Sequence, residues 1–347
     1  MTGCATLWWD ESEESIHYIE QTLLPNEEHI VACRSIDRLA IAIKRLEIRG
    51  APALGVAGAY GVALAAVLST SQELPAFMAD VQRDADVLKA TRPTAVNLAW
   101  GIDRVLKVMV TAPDASTARR IAVSKAHTIA REDTASCHAI GNHGAALLPD
   151  QCTVLTHCNA GALACSSWGT ALGVIRTAVK TGKRVKVISC ETRPLLQGAR
   201  LTAWELARDG IDVTTIIDSA AAHLMRTGAI DAVIVGADRI TRDAVFNKIG
   251  TYMHAVCAHH HGIPFYVAAP ISTFDFHNRA SDVVIEERGR EEVTTTGNRT
   301  FVPESVPVRN PAFDATPLEL VTAVITEQGV MRSAAEIQAF ISHHVSE

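Results

Sequence analysis

The chain has 347 residues, enough for two packed units, and its 48% hydrophobic and 20% charged residues are ordinary for a globular protein. A formal net charge of −6 argues against a general nucleic-acid binder, which needs a basic surface. Eight cysteines without a C-x-x-C pair or zinc-knuckle spacing point to reduced thiols and a cytoplasmic protein.

The opening "MTGCATLWWDESEES" has no basic region followed by an apolar one, so no signal peptide is expected, and no membrane span is expected along the chain. The first thirty residues, with "HYIEQTLLP", read as a short β-hairpin region. Ser35 is suited to cap a helix in which Ile36, Leu39, Ala40, Ile43 and Leu46 recur at helical spacing, running to Gly50. Pro52 fits the first turn of a second helix, "PALGVAGAYGVALAAVL", apolar on nearly all sides and therefore buried. A third helix is expected after "TRPT", over roughly 94–110, and a fourth over roughly 115–146. These elements make residues 1–148 a mostly helical domain with a short β region.

From 149 to 347 the rhythm changes. The short runs "CTVLTH", "VKVISC", "VTTIID", "AVIVGA", "PFYVAA" and "DVVIEE" are rich in valine and isoleucine, with helical spacing between most of them. That alternation predicts an α/β domain, a parallel sheet with helices on both faces. "HHH" at 259–261 sits before Gly262, where a helix end suits histidine, and no partner spacing supports a metal site there.

In such a sheet, ligands bind beyond the carboxyl ends of the strands. Four successive strand ends there deliver polar groups: Cys158 and Asn159; Glu191, Thr192, Arg193 and Gln197; Asp218 and Ser219; Asp238, Arg239, Asn247 and Lys248. Cys158 is expected where a strand hands over to a helix, whose amides would lower its pKa. The alternative is a small buried side chain. His157 points to the opposite face and is badly placed to activate it. Asp238 follows the apolar "VIVGA", which would desolvate a carboxyl and raise its pKa into the range of a proton donor. "RGAP" places Arg49, Gly50 and Ala51 at a helix N-terminus, Arg92 precedes another proline, and Lys248 follows Asn247 near a third helix start. Three such features suggest a phosphorylated small molecule held between the halves. Neither G-x-G-x-x-G after the first parallel strand nor G-x-x-x-x-G-K is present, so nucleotide binding by those routes is unsupported.

Together, "RGAPALGVAGAYG", "TRPTAVNLAW", "THCNAGALA", "GTALGVIR", "ETRPLLQGARLTAWEL", "GADRI", "NKIGTY", "IPFYVAAP" and "NPAFDATP" resemble the 5-methylthioribose-1-phosphate isomerases, in order over about 49–317. The wider superfamily includes ribose-1,5-bisphosphate isomerases and regulatory subunits of a guanine-nucleotide exchange factor of translation initiation. The resemblance implies a Rossmann-like catalytic domain, a homodimer, and no metal or organic cofactor. It makes Cys158 the catalytic cysteine and Asp238 the proton donor, with Arg49, Gly50, Ala51, Arg92, Gln197, Asn247 and Lys248 binding a sugar 1-phosphate. The expected reaction is the aldose-to-ketose conversion of methionine salvage. The alternatives are a related sugar-phosphate isomerase and a non-catalytic sensor. Two stretches depart from the family pattern, "TRDAVF" before Asn247 and "CSSW" at 165–168. Trp168 and Trp100 are candidates for an apolar slot around the sugar's 5-substituent, against the alternative that both fill the core.

Overall fold

A computed structural model describes residues 5–93 and 95–345. Strands β1 (Leu7–Asp10), β2 (Ser15–Ile19) and β3 (Ile30–Cys33) form a small antiparallel sheet. The helices α1 (Ile36–Lys44), α2 (Ala51–Leu68), α3 (Leu74–Lys89), α4 (Val96–Met109) and α5 (Ala115–Ala145) follow. Ser35 caps α1 as expected, accepting from the Arg38 amide. The helix ends earlier than expected because Leu46 turns into the left-handed region, φ 60°. Helix α3 was missed by the periodicity reading.

Helix α2 is the axle of this half, buried along nearly its whole length against α3, α4 and α5. By length and composition it could cross a bilayer, contrary to the expectation that no such run exists, yet 78% of it is buried inside the protein. Glycines let the helices approach closely. A Cβ on Gly101 would lie 2.0 Å from the Gly55 carbonyl oxygen, and one on Gly58 would lie 2.7 Å from that of Leu98.

The second half is α/β. In chain order it comprises β4 (Gln151–Thr156), α6 (Ala171–Lys180), β5 (Arg184–Cys190), α7 (Ala203–Arg208), β6 (Val213–Ile216), α8 (Ala221–Arg226), β7 (Ala232–Val235), β8 (Arg239–Ile240), β9 (Ala244–Lys248), α9 (Thr251–His260), β10 (Phe265–Ala268), α10 (Glu291–Thr294), β11 (Thr295–Thr296), β12 (Arg299–Thr300), β13 (Phe313–Pro317), β14 (Ala323–Thr326), β15 (Gly329–Met331) and α11 (Ala334–Val345). The main sheet has the order β15-β14-β10-β7-β4-β5-β6, parallel except at β15. From β4 the chain steps outward through β5 and β6, then returns to lay β7 on the other side of β4. The strand order therefore reverses between β4 and β7, where an open α/β sheet leaves a crevice for ligand. Strands β8, β9 and β13 form a separate antiparallel sheet. Helix α5 packs along α6 and β14, joining the two halves.

The stretch "DVVIEE" is not a strand; its one pairing is the isolated bridge Glu287–Pro311. The place beside β10 belongs to β14, which is fully buried. Val284 is 81% exposed, so valine-rich composition here does not reflect sheet burial.

Gly101→Ala should destabilise the protein despite alanine's better helix propensity of about 1 kcal/mol, because overpacking costs about 1–3 kcal/mol. Urea unfolding checks this. Unchanged or increased stability would show that α2 and α4 can move apart without cost.

Candidate active site

The segment after β4 carries the first reactive group. Cys158 sits at φ 64°. Its amide donates to Thr192 Oγ1 at 2.8 Å, and its carbonyl accepts from Thr202 Oγ1 at 2.7 Å. These bonds fix an unfavourable left-handed turn and aim the thiol into a chamber at the reversal point. No helix begins here; the next α-helix starts at Ala171. The expected depression of its pKa is accordingly overturned. Burial pushes the thiol up, opposed by Arg49 and Lys248. His157 is buried on the other side, as expected, bonded to the Ile249 carbonyl and to His254.

Asn159 holds Arg49. Its carbonyl accepts from Arg49 Nη1 at 3.0 Å and its Oδ1 accepts from Nη2 at 2.6 Å. Asn159 Nδ2 donates to Glu205 at 2.8 Å, and Glu205 also accepts from the Ala162 and Leu163 amides and from Arg176. Arg49 is 7% exposed, yet its Nε is left without a partner. Gln197 Oε1 is likewise buried and unpartnered. Both residues line the chamber, and such orphaned groups are the ones a polar ligand would satisfy.

Gly50 precedes α2 at φ +99°, and a Cβ there would lie 2.5 Å from Ala164 Cα. Only glycine lets the N-terminus of α2 come this close to the loop that follows Cys158. Gly50 and Ala51 thus present a helix start, with its partial positive charge, to the chamber.

Asp238 follows β7 across Gly236 and Ala237, with its amide bonded to the Phe246 carbonyl at 2.8 Å. Burial raises its carboxyl above the usual range, opposed by Lys248, Arg92 and Arg49. The expectation of a raised pKa holds. Lys248 ends β9, its Nζ 5.0 Å from the centre of the Phe313 ring. Burial lowers its pKa, opposed by Cys158 and Asp238. It stands on a strand end and not at the start of a helix; α9 begins at Thr251. Asn247 Nδ2 donates to Thr251 Oγ1 at 3.0 Å. Arg92 bonds Glu286 at 3.2 Å. Thus Cys158, Asp238, Arg49, Gly50, Ala51, Arg92, Gln197, Asn247 and Lys248 all line one chamber.

Sequence reasoning missed two charged walls of this chamber, Glu286 and Arg288. Arg288 bonds Glu286 at 2.8 Å and Glu292 at 2.6 Å. The run "EERGREE" was the available signal, hidden by reading its start as a strand. Beside the chamber lies an apolar annex formed by Leu54, Val96, Val283, Ile285, Phe246 and Phe313. Gly50, Ala51, Arg92, Asp238, Glu286 and Phe313 border both spaces.

Of the two readings of the tryptophans, core filling holds for Trp168, and neither side chain forms the slot. Trp168 is 5% exposed, packs with Cys137, Ala164 and Cys165, and donates to Thr177 Oγ1 at 3.2 Å. Trp100 lines a different cleft, under Arg104. Neither borders the chamber or its annex.

Two groups among the described residues have metal-ligand composition, His157–Cys190–His254 and Asp133–Cys137–Cys165. In the first, both nitrogens of His157 are already in hydrogen bonds. In the second, Asp133 accepts from the Ser166 amide and hydroxyl; the contact with Cys165, then burial, push the Cys137 thiol up, and Cys165 is raised by burial against its bond to Cys137. Cys165 of the second set lines the chamber with Cys158 and Asp238, but each set would have to give up hydrogen bonds or thiol protons to bind an ion.

These features define a class: an α/β protein with a cationic chamber at its strand-order reversal, lined by a half-buried thiol and a half-buried carboxyl. Residues 47–333 match the Initiation factor 2 subunit family, and the chain belongs to that family. It is 51% identical over 321 residues to the methylthioribose-1-phosphate isomerase of Syntrophotalea carbinolica, covering 91% of this chain and 93% of that one. Its structure superposes on 5-methylthioribose 1-phosphate isomerase from Pyrococcus horikoshii with TM-score 0.90 and 42% identity, covering 98% and 96% of the two chains. It is also similar to a chain described as translation initiation factor eIF-2B, subunit delta, from A. fulgidus, with TM-score 0.87, 51% identity and coverage of 97% and 99%.

The buried histidine pair sets a pH dependence of stability. Burial lowers His157 to about 4 and His254 to about 3. The unfolded chain takes up these protons below about pH 6.5 while the folded protein resists them. This stability is therefore intact above about pH 6.5 and is lost as pH falls towards about 4. Each histidine contributes about 1.4 kcal/mol per pH unit within that window. Between about pH 7 and pH 5 the loss should be smaller by about 1–2 kcal/mol in His254→Gln. An identical acid loss in both proteins would contradict this.

Proposed function

We propose that the protein is an aldose–ketose isomerase that converts 5-methylthioribose 1-phosphate to 5-methylthioribulose 1-phosphate. The observation carrying this reading is the meeting of Cys158 and Asp238 in one anion-binding chamber. The relatives named as isomerases, at about half identity over nearly the full chain, point the same way. A sensor needs the phosphate-binding residues but neither reactive group.

Arg49, Arg92, Lys248 and the start of α2 hold the phosphate, with Gln197 and Asn247 binding the sugar. Phosphate on C1 blocks ordinary ring opening, so the ring oxygen needs a proton. Asp238, whose carboxyl burial raises, donates it as the C1–O bond breaks. Cys158, as thiolate, takes the proton from C2 to give an enol phosphate and returns it to C1. Loss of the O2 proton leaves the C2 ketone and replaces the proton that Asp238 gave. Arg49 and Lys248 are the charges that favour the thiolate against burial. A direct hydride shift from C2 to C1 is the competing route, and it would leave Cys158 without a proton-carrying role.

The working form proposed is a cytoplasmic homodimer with the sugar phosphate as its only other partner. Tyr252, Met253 and Val256 on α9 are each more than 40% exposed and offer an apolar contact face.

Cys158→Ala and Asp238→Asn should each cost about 10²- to 10⁴-fold in kcat without unfolding the protein. The double variant should be little worse than either single one, because the two act on one reaction sequence. Wild-type turnover by Cys158→Ala would remove it as the base. Arg92→Ala should raise KM and lower kcat, since a misplaced phosphate misplaces C1 and C2. Chelation should leave turnover unchanged. Activity lost to a chelator and restored by one divalent ion would overturn the metal-free chemistry.

A further inference from the structure

The annex and the chamber share Asp238 and Glu286, with Gly50, Ala51, Arg92 and Phe313, and the direction of the sugar follows from the role proposed for Asp238. Asp238 protonates the ring oxygen. One neighbour of that oxygen is C1, which carries the phosphate and faces Cys158 and the start of α2. The other is C4, which carries C5. With the phosphate end held in the chamber, C5 and its substituent run from Asp238 into the annex.

The annex is apolar along Leu54, Val96, Val283, Ile285 and Phe246. Its charged border is uneven. Arg92 is shared with the chamber and assigned to the phosphate. Arg239 is bound to Asp275 at 3.2 Å. Glu286 stands where the two spaces join, one carboxylate oxygen on Arg92 at 3.2 Å and the other on Arg288 at 2.8 Å. Arg288 is itself shared with Glu292. When a substrate phosphate draws on Arg92, the Glu286 carboxylate loses part of its compensation while still facing the annex.

We propose that Glu286 is a specificity-determining residue that confines the 5-substituent to uncharged groups, admitting 5-methylthio and 5-deoxy sugars and rejecting a 5-phosphate. This rests on the isomerase reading for the direction in which the sugar lies. Like charges brought together at an enclosed site strongly oppose binding, whereas one or two apolar groups change affinity by only about 10- to 200-fold. The site therefore discriminates weakly among apolar 5-substituents and strongly against an anionic one.

The test compares binding and turnover separately. Calorimetry on Cys158→Ala measures Kd for 5-deoxyribose 1-phosphate and ribose 1,5-bisphosphate, with and without Glu286→Gln. The wild-type side chain should favour the 5-deoxy compound, and Glu286→Gln should shift the ratio of the two Kd values towards the bisphosphate by about tenfold or more. If thermal melting shows that Glu286→Gln does not fold, Glu286→Ser, which leaves room for water between the arginines, takes its place. A ratio unmoved by the substitution, or a bisphosphate preferred with Glu286 intact, overturns the proposal. Turnover of the same compounds by the protein with Cys158 restored tests the isomerase reading on its own. A shifted Kd ratio without turnover would defeat that reading and leave the role of Glu286 standing.

Discussion

The site depends on one buried ion pair. Glu205 and Arg176 are 3% and 4% exposed and meet at 2.8 Å. Burying such charges is costly unless every remaining donor and acceptor finds a partner. Here they do so by gathering the loop that follows Cys158. Arg176 also binds Asp209 and the Trp168 carbonyl, while Glu205 takes the amides of Ala162 and Leu163 and the side chain of Asn159. A Cβ on Gly161 would lie 2.3 Å from the Glu205 carboxylate, so the loop closes on the charge only because that residue is glycine. Asn159, held in this way, grips Arg49 from the helical half. The pair thereby locks the turn at Cys158 and the start of α2 into one geometry.

Within that frame the chamber balances burial against charge. Burial raises the pKa of Cys158 and Asp238 and lowers that of Lys248; Lys248 and the arginines oppose the first two shifts, whereas Cys158 and Asp238 oppose the third and the arginines add to it. Arg49, Arg92, Arg288 and Lys248, set against Glu286 and Asp238, leave an excess of roughly two positive charges among the lining residues, which Glu292 on Arg288 reduces, and that excess suits a phosphate of about −1.5 to −2. A carboxyl raised by burial beside a thiol whose anion nearby cations favour is the pairing that the proposed ring opening and proton transfer would use. Opposed environments of this kind separate the roles of two titratable groups in one site.

Much of this was legible in the sequence because the signals were local. Helix α2 follows from an unbroken apolar run, and the alternation of strands and helices after 149 follows from periodicity. Strand ends then led to Cys158, Asp238 and Lys248 without reference to any relative. What escaped depends on distant partners. Burial of a thiol by a loop returning from the other half is not encoded around Cys158, so the direction of its pKa shift was misread. Trp168 fits a binding slot by size, but α5 and α6 enclose it in the core. Glu286 and Arg288 lie in a segment whose valines imitate a strand, and their role emerges only when Arg92 is brought across from the helical half.

The measurement that bears most directly on the account follows C1 of 5-methylthioribose 1-phosphate by carbon NMR in deuterated water with the purified protein. The account predicts that the anomeric carbon signal is replaced by that of a phosphorylated CH2 group beside a new ketone. Deuterium at C1 would mark transfer through an exchangeable group such as the Cys158 thiol. An anomeric signal that persists with folded protein at substrate-saturating conditions would contradict the account.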